Sequence, residues 1–222
     1  MIDAKILMTG SFISLMVLII VGFTLFYKFP QKKYFKYFAL FPTFFLAGEF
    51  LRTLRIVIPD FFSVVIANTL MVSGIMFLYI GVRAILNLES QWHNRYFIPI
   101  GVVLLGLILF TYLHYDVAMR ILVFSAFTII YVSTISWKFF KYATKEYKII
   151  DYISGTLFVI GIIIFLIRGA KASMIEINVN YPKSTEILNI LIYTYLLFIT
   201  AWLNMILIIR AIPLFNDKNK KR

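Results

Sequence analysis

Seven long apolar stretches constrain this chain more than any other feature of its sequence. Each is long enough to cross the hydrocarbon core of a membrane, which is about 30 Å thick and needs roughly 20 helical residues. A strand of a membrane barrel shows instead about ten residues of alternating polarity. The sequence therefore predicts an all-α membrane protein, a seven-transmembrane helix bundle that forms a single domain over residues 1–222. The predicted spans lie near residues 5–27, 34–58, 61–83, 96–114, 117–137, 150–168 and 186–209.

The composition agrees with burial in lipid. Hydrophobic residues make up 62% of the chain and charged residues 14%, and a soluble domain of this size cannot bury so much apolar surface. The absence of cysteine excludes disulfides, thiolate metal sites and cysteine catalysis. A net charge of +12 is also found in nucleic-acid-binding proteins, but in a membrane protein excess Lys and Arg mark the cytoplasmic loops. We expect no nucleic-acid partner.

The distribution of basic residues predicts the orientation. Most Lys and Arg residues follow spans one, three, five and seven. The positive-inside rule then places the amino terminus outside and the carboxy terminus in the cytoplasm. The first span is too long for a signal-peptide core and lacks a cleavage site before its basic flank, so we expect it to be retained. This predicts a multi-pass protein of the cytoplasmic membrane.

The short outer turns carry residues that end and begin helices. Pro59 is expected to stop the second helix. Asp60 and Asp116 are placed to cap the third and fifth helices, where a negative charge suits the helix amino terminus.

Glycines in two spans predict close helix packing. Gly101 and Gly106 lie in the fourth span, and Gly155 and Gly161 in the sixth. Small residues in membrane helices let backbones approach each other closely.

Polar residues gather at one depth of the predicted bundle. Glu49, Arg52 and Arg55 follow each other at steps of three, so they share one broad face of the second helix. Other polar residues lie at similar depth in the outer halves of spans three, five, six and seven. The candidate ligand-binding residues are Glu49, Arg52, Arg55, Asn68, Arg120, Arg168, Asn189 and Tyr193.

Two interpretations of these residues compete. Glu49 could pair with Arg52 or Arg55 while the other arginines extend to lipid phosphates, which is a structural role. Alternatively, the arginines line an outer pocket for a ligand with an anionic group, because guanidinium groups hold planar anions bidentately. An arginine at mid-membrane costs about 2.5–3.5 kcal/mol on insertion scales, so such residues are usually functional. A path through the bundle uses the same residues.

Several functions lack the residues that they require. Residues 186–209 contain no lysine for a retinal Schiff base. No HExxH, Gly-x-Ser-x-Gly or paired-aspartate motif occurs, and no Gly-rich phosphate loop. The two histidines lie in predicted loops and suggest surface residues more than metal ligands. We expect neither an enzyme nor a bound cofactor or metal.

A small-solute transporter with three plus one plus three helices is the alternative function, since spans two and six both carry arginine near their outer ends.

Several motifs follow the pattern of a known family. They are Leu54-Arg55, Ile58-Pro59-Asp60, Asn68, Gly81-Val82-Arg83, MRILVFS at 119–125 and FLIRGA at 165–170. With these motifs the chain resembles the seven-span sensory region that precedes the Gly-Gly-Asp-Glu-Phe catalytic domain of bacterial diguanylate cyclases. The resemblance implies a signal-input module of the bacterial inner membrane. The catalytic domain does not follow here, so no cyclase activity is expected.

The expected function combines the site with this resemblance. The module binds a small anionic ligand in an outer-facing arginine-lined pocket and relays the signal to a cytoplasmic partner. The expected partners are the ligand, membrane lipid, and a cytoplasmic signalling protein or a second copy of the chain in a homodimer.

Overall fold

The computed structural model describes residues 4–88, 98–172 and 181–220. These residues form helices and turns, with no strand among them, so the all-α prediction is confirmed for this part of the chain. A π-helical segment, Phe61–Ile66, leads into α3, and a second, Leu109–Leu113, continues α4. The helices are α1 Ala4–Lys28, α2 Tyr34–Thr53, α3 Ala67–Ile85, α4 Ile98–Ile108, α5 Val117–Lys141, α6 Lys148–Ala172 and α7 Tyr181–Lys220.

Five of the helical stretches are long and apolar enough to cross a membrane, which supports a membrane-embedded protein. Two other apolar segments fall outside this set. Helix α2 carries Lys36, Glu49 and Arg52 within 20 residues, and the apolar helix Ile98–Leu113 is shorter. The five stretches are Lys5–Lys28, Phe61–Ile85, Val117–Lys141, Lys148–Ala172 and Ile187–Asn216.

The helices form a closed ring. Helix α1 packs against α2 and α7, α2 against α3, α3 against α5, α5 against α6, and α6 against α7. Helix α4 packs beside the ring, against α3 and α5. Large apolar side chains fill the half of the ring where α2 begins and α5 ends, including Phe35, Phe38 and Phe139. The candidate site residues lie in the other half, where α2 and α6 end and α5 begins. We call this half the cavity end.

Helices α2 and α3 approach each other to backbone contact. A Cβ atom added to Gly74 would lie 2.8 Å from the carbonyl oxygen of Phe41, which is closer than real Cβ atoms come. A Cβ atom added to Gly48 would overlap the carbonyl oxygen of Ala67. This contact fixes the part of α2 that carries Glu49 against the part of α3 that carries Asn68.

The other glycines only partly follow the packing prediction. Gly155 faces the ring of Phe140 and Gly161 faces Tyr195, as predicted for close packing in α6. Gly106 meets Val123 at an ordinary contact distance. The prediction for Gly101 is wrong, because no described atom lies within 4 Å of a Cβ added there.

Helix α2 ends at Thr53, five residues before the end of the predicted span 34–58. Residues 54–57 form turns, in which the N–H of Val57 donates to the carbonyl oxygen of Leu54 at 2.8 Å. Three β-branched residues precede Pro59, and both features disfavour helical backbone there. Arg55 therefore projects from a turn and not from the helix.

The two predicted amino-terminal caps have different outcomes. Asp116 has extended backbone, and its carboxylate accepts from the N–H of Met119 at 2.9 Å, so this cap is confirmed. Asp60 makes no side-chain capping bond, and its prediction is wrong. Its backbone is already helical, at φ −57° and ψ −26°, whereas a capping residue needs non-helical backbone.

Candidate anion-binding site

A cavity of about 190 Å³ lies at the cavity end of the bundle, between residues of α2, α3, α5 and α6 and the turn after α2. We call it the arginine cavity. Four guanidinium groups line it, together with polar side chains from α3 and from the π-helical segment that precedes it. The polar lining residues are Arg52, Arg55, Arg120, Arg168, Ser63 and Asn68.

A second cavity of about 50 Å³ adjoins the first and reaches α7. We call it the middle cavity. Glu49, Asn189 and Tyr193 line it, and it shares Arg52, Asn68 and Arg168 with the arginine cavity. All eight residues selected from the sequence therefore line one of two neighbouring cavities. Arg55 lies among them although α2 ends before it, because the turn after α2 also borders the arginine cavity.

Arg52 is held by two partners from different helices. Its Nε and Nη2 atoms donate to Oε2 of Glu49 at 2.9 Å and 2.6 Å. Nη2 also donates to the hydroxyl oxygen of Tyr193 at 2.7 Å, which links α2 to α7. The carboxylate of Glu49 is buried, whereas the side chain of Arg52 remains 38% exposed. The charge of Arg52 is thus partly neutralised inside the protein.

Arg55 has a weaker partner. Its Nε atom lies 3.7 Å from Oδ1 of Asp60, and both side chains are about half exposed. An exposed ion pair at this distance contributes little to stability. The side chain can therefore reorient toward a bound anion at low cost.

Arg120 differs from the other arginines of the cavity. The residue is only 5% exposed, and its guanidinium group lies 4.8 Å from the centre of the Tyr115 ring. Within the part of the chain that the structure describes, neither Nη1 nor Nη2 has a hydrogen-bond partner. A buried charge without a partner is costly, and buried charges are normally paired. The position of Arg120 in the wall of the cavity therefore favours an anion as its partner.

Arg168 and Asn68 are held by their surroundings. The Arg168 guanidinium group lies 5.1 Å from the centre of the Phe124 ring and 5.9 Å from that of Phe165, within the range of cation–π attraction. Nδ2 of Asn68 donates to the carbonyl oxygen of Val64 at 2.6 Å. Both side chains are thereby oriented where the two cavities meet.

The chemistry of this site suits binding of an anion. Four guanidinium groups line the arginine cavity, and among the described residues the carboxylates of Glu49 and Asp60 lie beside two of them, Arg52 and Arg55. Guanidinium groups bind carboxylate and phosphate bidentately but do not release protons at ordinary pH. Among the described residues, no three His, Asp or Glu side chains lie close enough to hold a metal ion.

A second buried charged cluster lies at the opposite end of the ring and was not predicted from the sequence. Nη2 of Arg210 donates to Oδ1 of Asp151 at 2.5 Å, and Nη1 donates to the carbonyl oxygen of Ile85 at 3.0 Å. Oδ2 of Asp151 accepts from the N–H and the hydroxyl of Thr144, at 2.9 Å and 3.0 Å. Helices α3, α6 and α7 are thus joined through one buried ion pair. In the sequence, the signal for this cluster is Asp151, an acidic residue at the start of an apolar span.

Tyr147 completes this cluster from the turn before α6. The guanidinium group of Arg210 lies 4.4 Å from the centre of its ring. Burial, together with a hydrogen bond to Glu146, raises the pKa of Tyr147 above its ordinary value. The phenol therefore stays neutral beside the ion pair.

The Asp151–Arg210 ion pair and Arg120 differ in their hydrogen-bond partners. Both carboxylate oxygens of Asp151 have partners inside the protein, as expected of a structural ion pair. The terminal nitrogens of Arg120 have none among the residues described.

No protein-family model, curated protein sequence or solved structure matches this chain, so its function has to be inferred from these residues.

Proposed function

We propose that this protein is a sensory module of the bacterial cytoplasmic membrane which binds a small anion in the arginine cavity. In this proposal the chain crosses the membrane seven times with its amino terminus outside, so the cavity opens to the outside. The asymmetry of the basic residues supports this orientation. The resemblance of its motifs to seven-span sensory regions supports a role in signalling to a cytoplasmic protein or through a second copy of the chain.

The observation that carries the proposal is the state of Arg120. Its guanidinium group is buried, and its two terminal nitrogens have no hydrogen-bond partner in the described structure. A carboxylate or phosphate in the cavity would neutralise this charge and accept from both nitrogens after a small movement of the Arg120 side chain, because the two atoms have almost no exposed surface in the structure. Arg52, Arg55 and Arg168 line the same cavity and supply further donors.

Helix α7 is the proposed route of the signal. Tyr193 bonds to Arg52 at the cavity end, and Arg210 bonds to Asp151 near the opposite end. These two positions are separated by about 26 Å at the helical rise of 1.5 Å per residue. An anion that competes with Glu49 for Arg52 changes the bond between α2 and α7. The ligand then shifts the population between two packings of α7, and the partner responds to the change at the cytoplasmic face.

Ligand-dependent stability of two variants tests the proposal. The protein in lipid nanodiscs is titrated with small carboxylates and inorganic phosphate while its unfolding temperature is recorded. A ligand at 100 times its dissociation constant adds about 2.7 kcal/mol of stability. The wild type and the control Lys36→Met, which loses an exposed charge on α2, should both show the increase, and Arg120→Met should not.

Without ligand, Arg120→Met should be at least as stable as the wild type, because the substitution removes a buried charge whose terminal nitrogens have no hydrogen-bond partner in the described structure. A variant that unfolds without any anion present would instead give Arg120 a structural role and contradict the proposal.

Transport of the anion is the alternative. The aromatic side chains that fill the opposite half of the ring, such as Phe35, Phe38 and Phe139, favour a binding module over a conduit. Uptake of the bound anion into liposomes that contain the purified protein would replace the sensor proposal with a transporter.

A further inference from the structure

A third cavity lies deeper in the ring and has a different character. It measures about 70 Å³ and is lined by side chains from α2, α3, α5, α6 and α7. Most of its lining is apolar, for example Ile75, Leu78 and Val132. Of its polar lining groups, Glu49 accepts from Arg52, and the hydroxyl of Thr128 donates to the carbonyl oxygen of Phe124. We call this the deep cavity.

The three cavities follow one another from the cavity end into the bundle. The arginine cavity and the middle cavity share Arg52, Asn68, Phe124 and Arg168. The middle cavity and the deep cavity share five further side chains. These are Phe45, Glu49, Phe165, Ile192 and Tyr193. A ligand that starts at the arginines and extends inward therefore passes from charged to apolar surroundings.

Such a gradient selects a particular class of anion. A small cavity with apolar walls stays dry and accepts apolar groups. A second charge at the far end of a ligand, as in a dicarboxylate, would lose its hydration there without gaining a cationic partner. A ligand with one anionic head and an apolar chain places its charge at the arginine cavity and its chain in the apolar deep cavity.

The volumes limit the length of the chain. For comparison, an apolar cavity of about 150 Å³ engineered in another protein holds one benzene molecule, which has six carbon atoms. The middle and deep cavities, at about 50 and 70 Å³, are together somewhat smaller and therefore hold a chain of roughly five carbon atoms. The long acyl chains of membrane lipids are too large for this space.

We propose that the ligand is a short- to medium-chain monocarboxylate, with its head on the arginines and its alkyl chain in the middle and deep cavities. This inference rests on the proposed function of the arginine cavity and names the class of anion that it binds.

A chain-length series tests the inference. Acetate, butyrate, hexanoate, octanoate and decanoate are titrated against the protein in lipid nanodiscs, and the signal from empty nanodiscs is subtracted. Each methylene that enters the cavities should lower the dissociation constant about fourfold. The gain should stop within the series, once the cavities are full.

Variants that fill the deep cavity supply the control. Val132→Phe should bind acetate like the wild type and lose the gain for longer chains. Val132→Leu fills less of the space and should reduce the gain, so it tests the same point if the phenylalanine variant folds poorly. Val159→Phe, on the exposed face of α6, should leave the whole series unchanged.

The possible results distinguish failure of this inference from failure of the proposed anion binding. If acetate and hexanoate bind equally well and Arg120→Met abolishes both, the inference is overturned while the anion site stands. If phosphate binds and no carboxylate does, the inference is overturned, and the proposed anion site again stands. A chain-length gain that persists in Arg120→Met and Val132→Phe reports partition into lipid and overturns the inference. If no anion binds at all, the proposed function fails with it.

Discussion

The arginines of the cavity are not equivalent, because their charges are compensated to different extents. Arg52 donates to Glu49 and Tyr193, and Arg55 lies near Asp60. Arg120 is more deeply buried than Arg52, and neither terminal nitrogen has a partner among the described residues. We therefore regard Arg120 as the anchor of the anion and Arg52 as the residue that transmits its binding to α7.

Replacing Glu49 by glutamine should weaken folding and strengthen anion binding. The substitution removes the negative charge that partly neutralises Arg52. Losing one partner of a fully buried pair costs about 3–5 kcal/mol, and the cost here should be nearer 1–2 kcal/mol because Arg52 is 38% exposed. The affinity for an anion should rise several-fold, since Arg52 then attracts the ligand without competition.

Chemical unfolding and ligand titration measure both effects of Glu49→Gln. Glu146→Gln, an exposed carboxylate at the opposite end, serves as the control and should leave affinity unchanged. Unchanged affinity in Glu49→Gln would mean that the anion does not contact Arg52, and the proposed signal through α7 would be wrong.

At the level of helices, the backbone contact between α2 and α3 should be sensitive to a single methyl group. Gly74→Ala places its Cβ atom 2.8 Å from the carbonyl oxygen of Phe41 in α2. To relieve this contact α2 has to move away from α3, and Glu49 moves with it. Overpacking of this kind costs about 1–3 kcal/mol, of which the better helix propensity of alanine returns up to about 1 kcal/mol.

Gly101→Ala is the matched control, because a Cβ atom there meets no described neighbour within 4 Å. Thermal unfolding in detergent should show a lower transition temperature for Gly74→Ala and an equal or higher one for Gly101→Ala. Equal behaviour of the two variants would contradict the close packing of α2 on α3.

The buried ion pair between α6 and α7 predicts a second stability effect. Asp151→Asn leaves the cation of Arg210 buried without its counter-charge, which should lower the free energy of unfolding by about 3–5 kcal/mol. The double variant Asp151→Leu with Arg210→Met removes both charges and should recover most of that loss. Unfolding by denaturant compares the three proteins. A single variant as stable as the wild type would show that the pair does not hold these helices together.

For the molecule as a whole, the sequence predicts the position of a residue along its helix better than it predicts which helices are adjacent. Apolar length and basic flanks locate the helices, so the sequence places the eight site residues at similar positions along their helices, and all eight line the two neighbouring cavities. The bond between Arg52 and Tyr193 depends on which helices are adjacent in the ring. Apolar patterning does not reveal that order, because residues that face lipid and residues that face the core are both apolar.

The same limitation explains one further difference between prediction and structure, and a second difference has a local cause. Asp151 and Arg210 are 59 residues apart and meet only because α6 packs against α7. The early end of α2 depends on local backbone preferences before Pro59, which the span length alone did not include.

The orientation of the whole molecule is a prediction that the absence of natural cysteine makes easy to test. His114 and Lys145 are exposed in turns at opposite ends of α5, so His114→Cys and Lys145→Cys report opposite sides of the membrane. A maleimide that cannot cross membranes should label His114→Cys in spheroplasts. It should label Lys145→Cys only after permeabilisation, because the lysines around that turn favour the cytoplasmic side. The cysteine-free parent protein controls for background. The reverse pattern would make the arginine cavity open to the cytoplasm, and the anion proposed to bind there would then have to be an intracellular one.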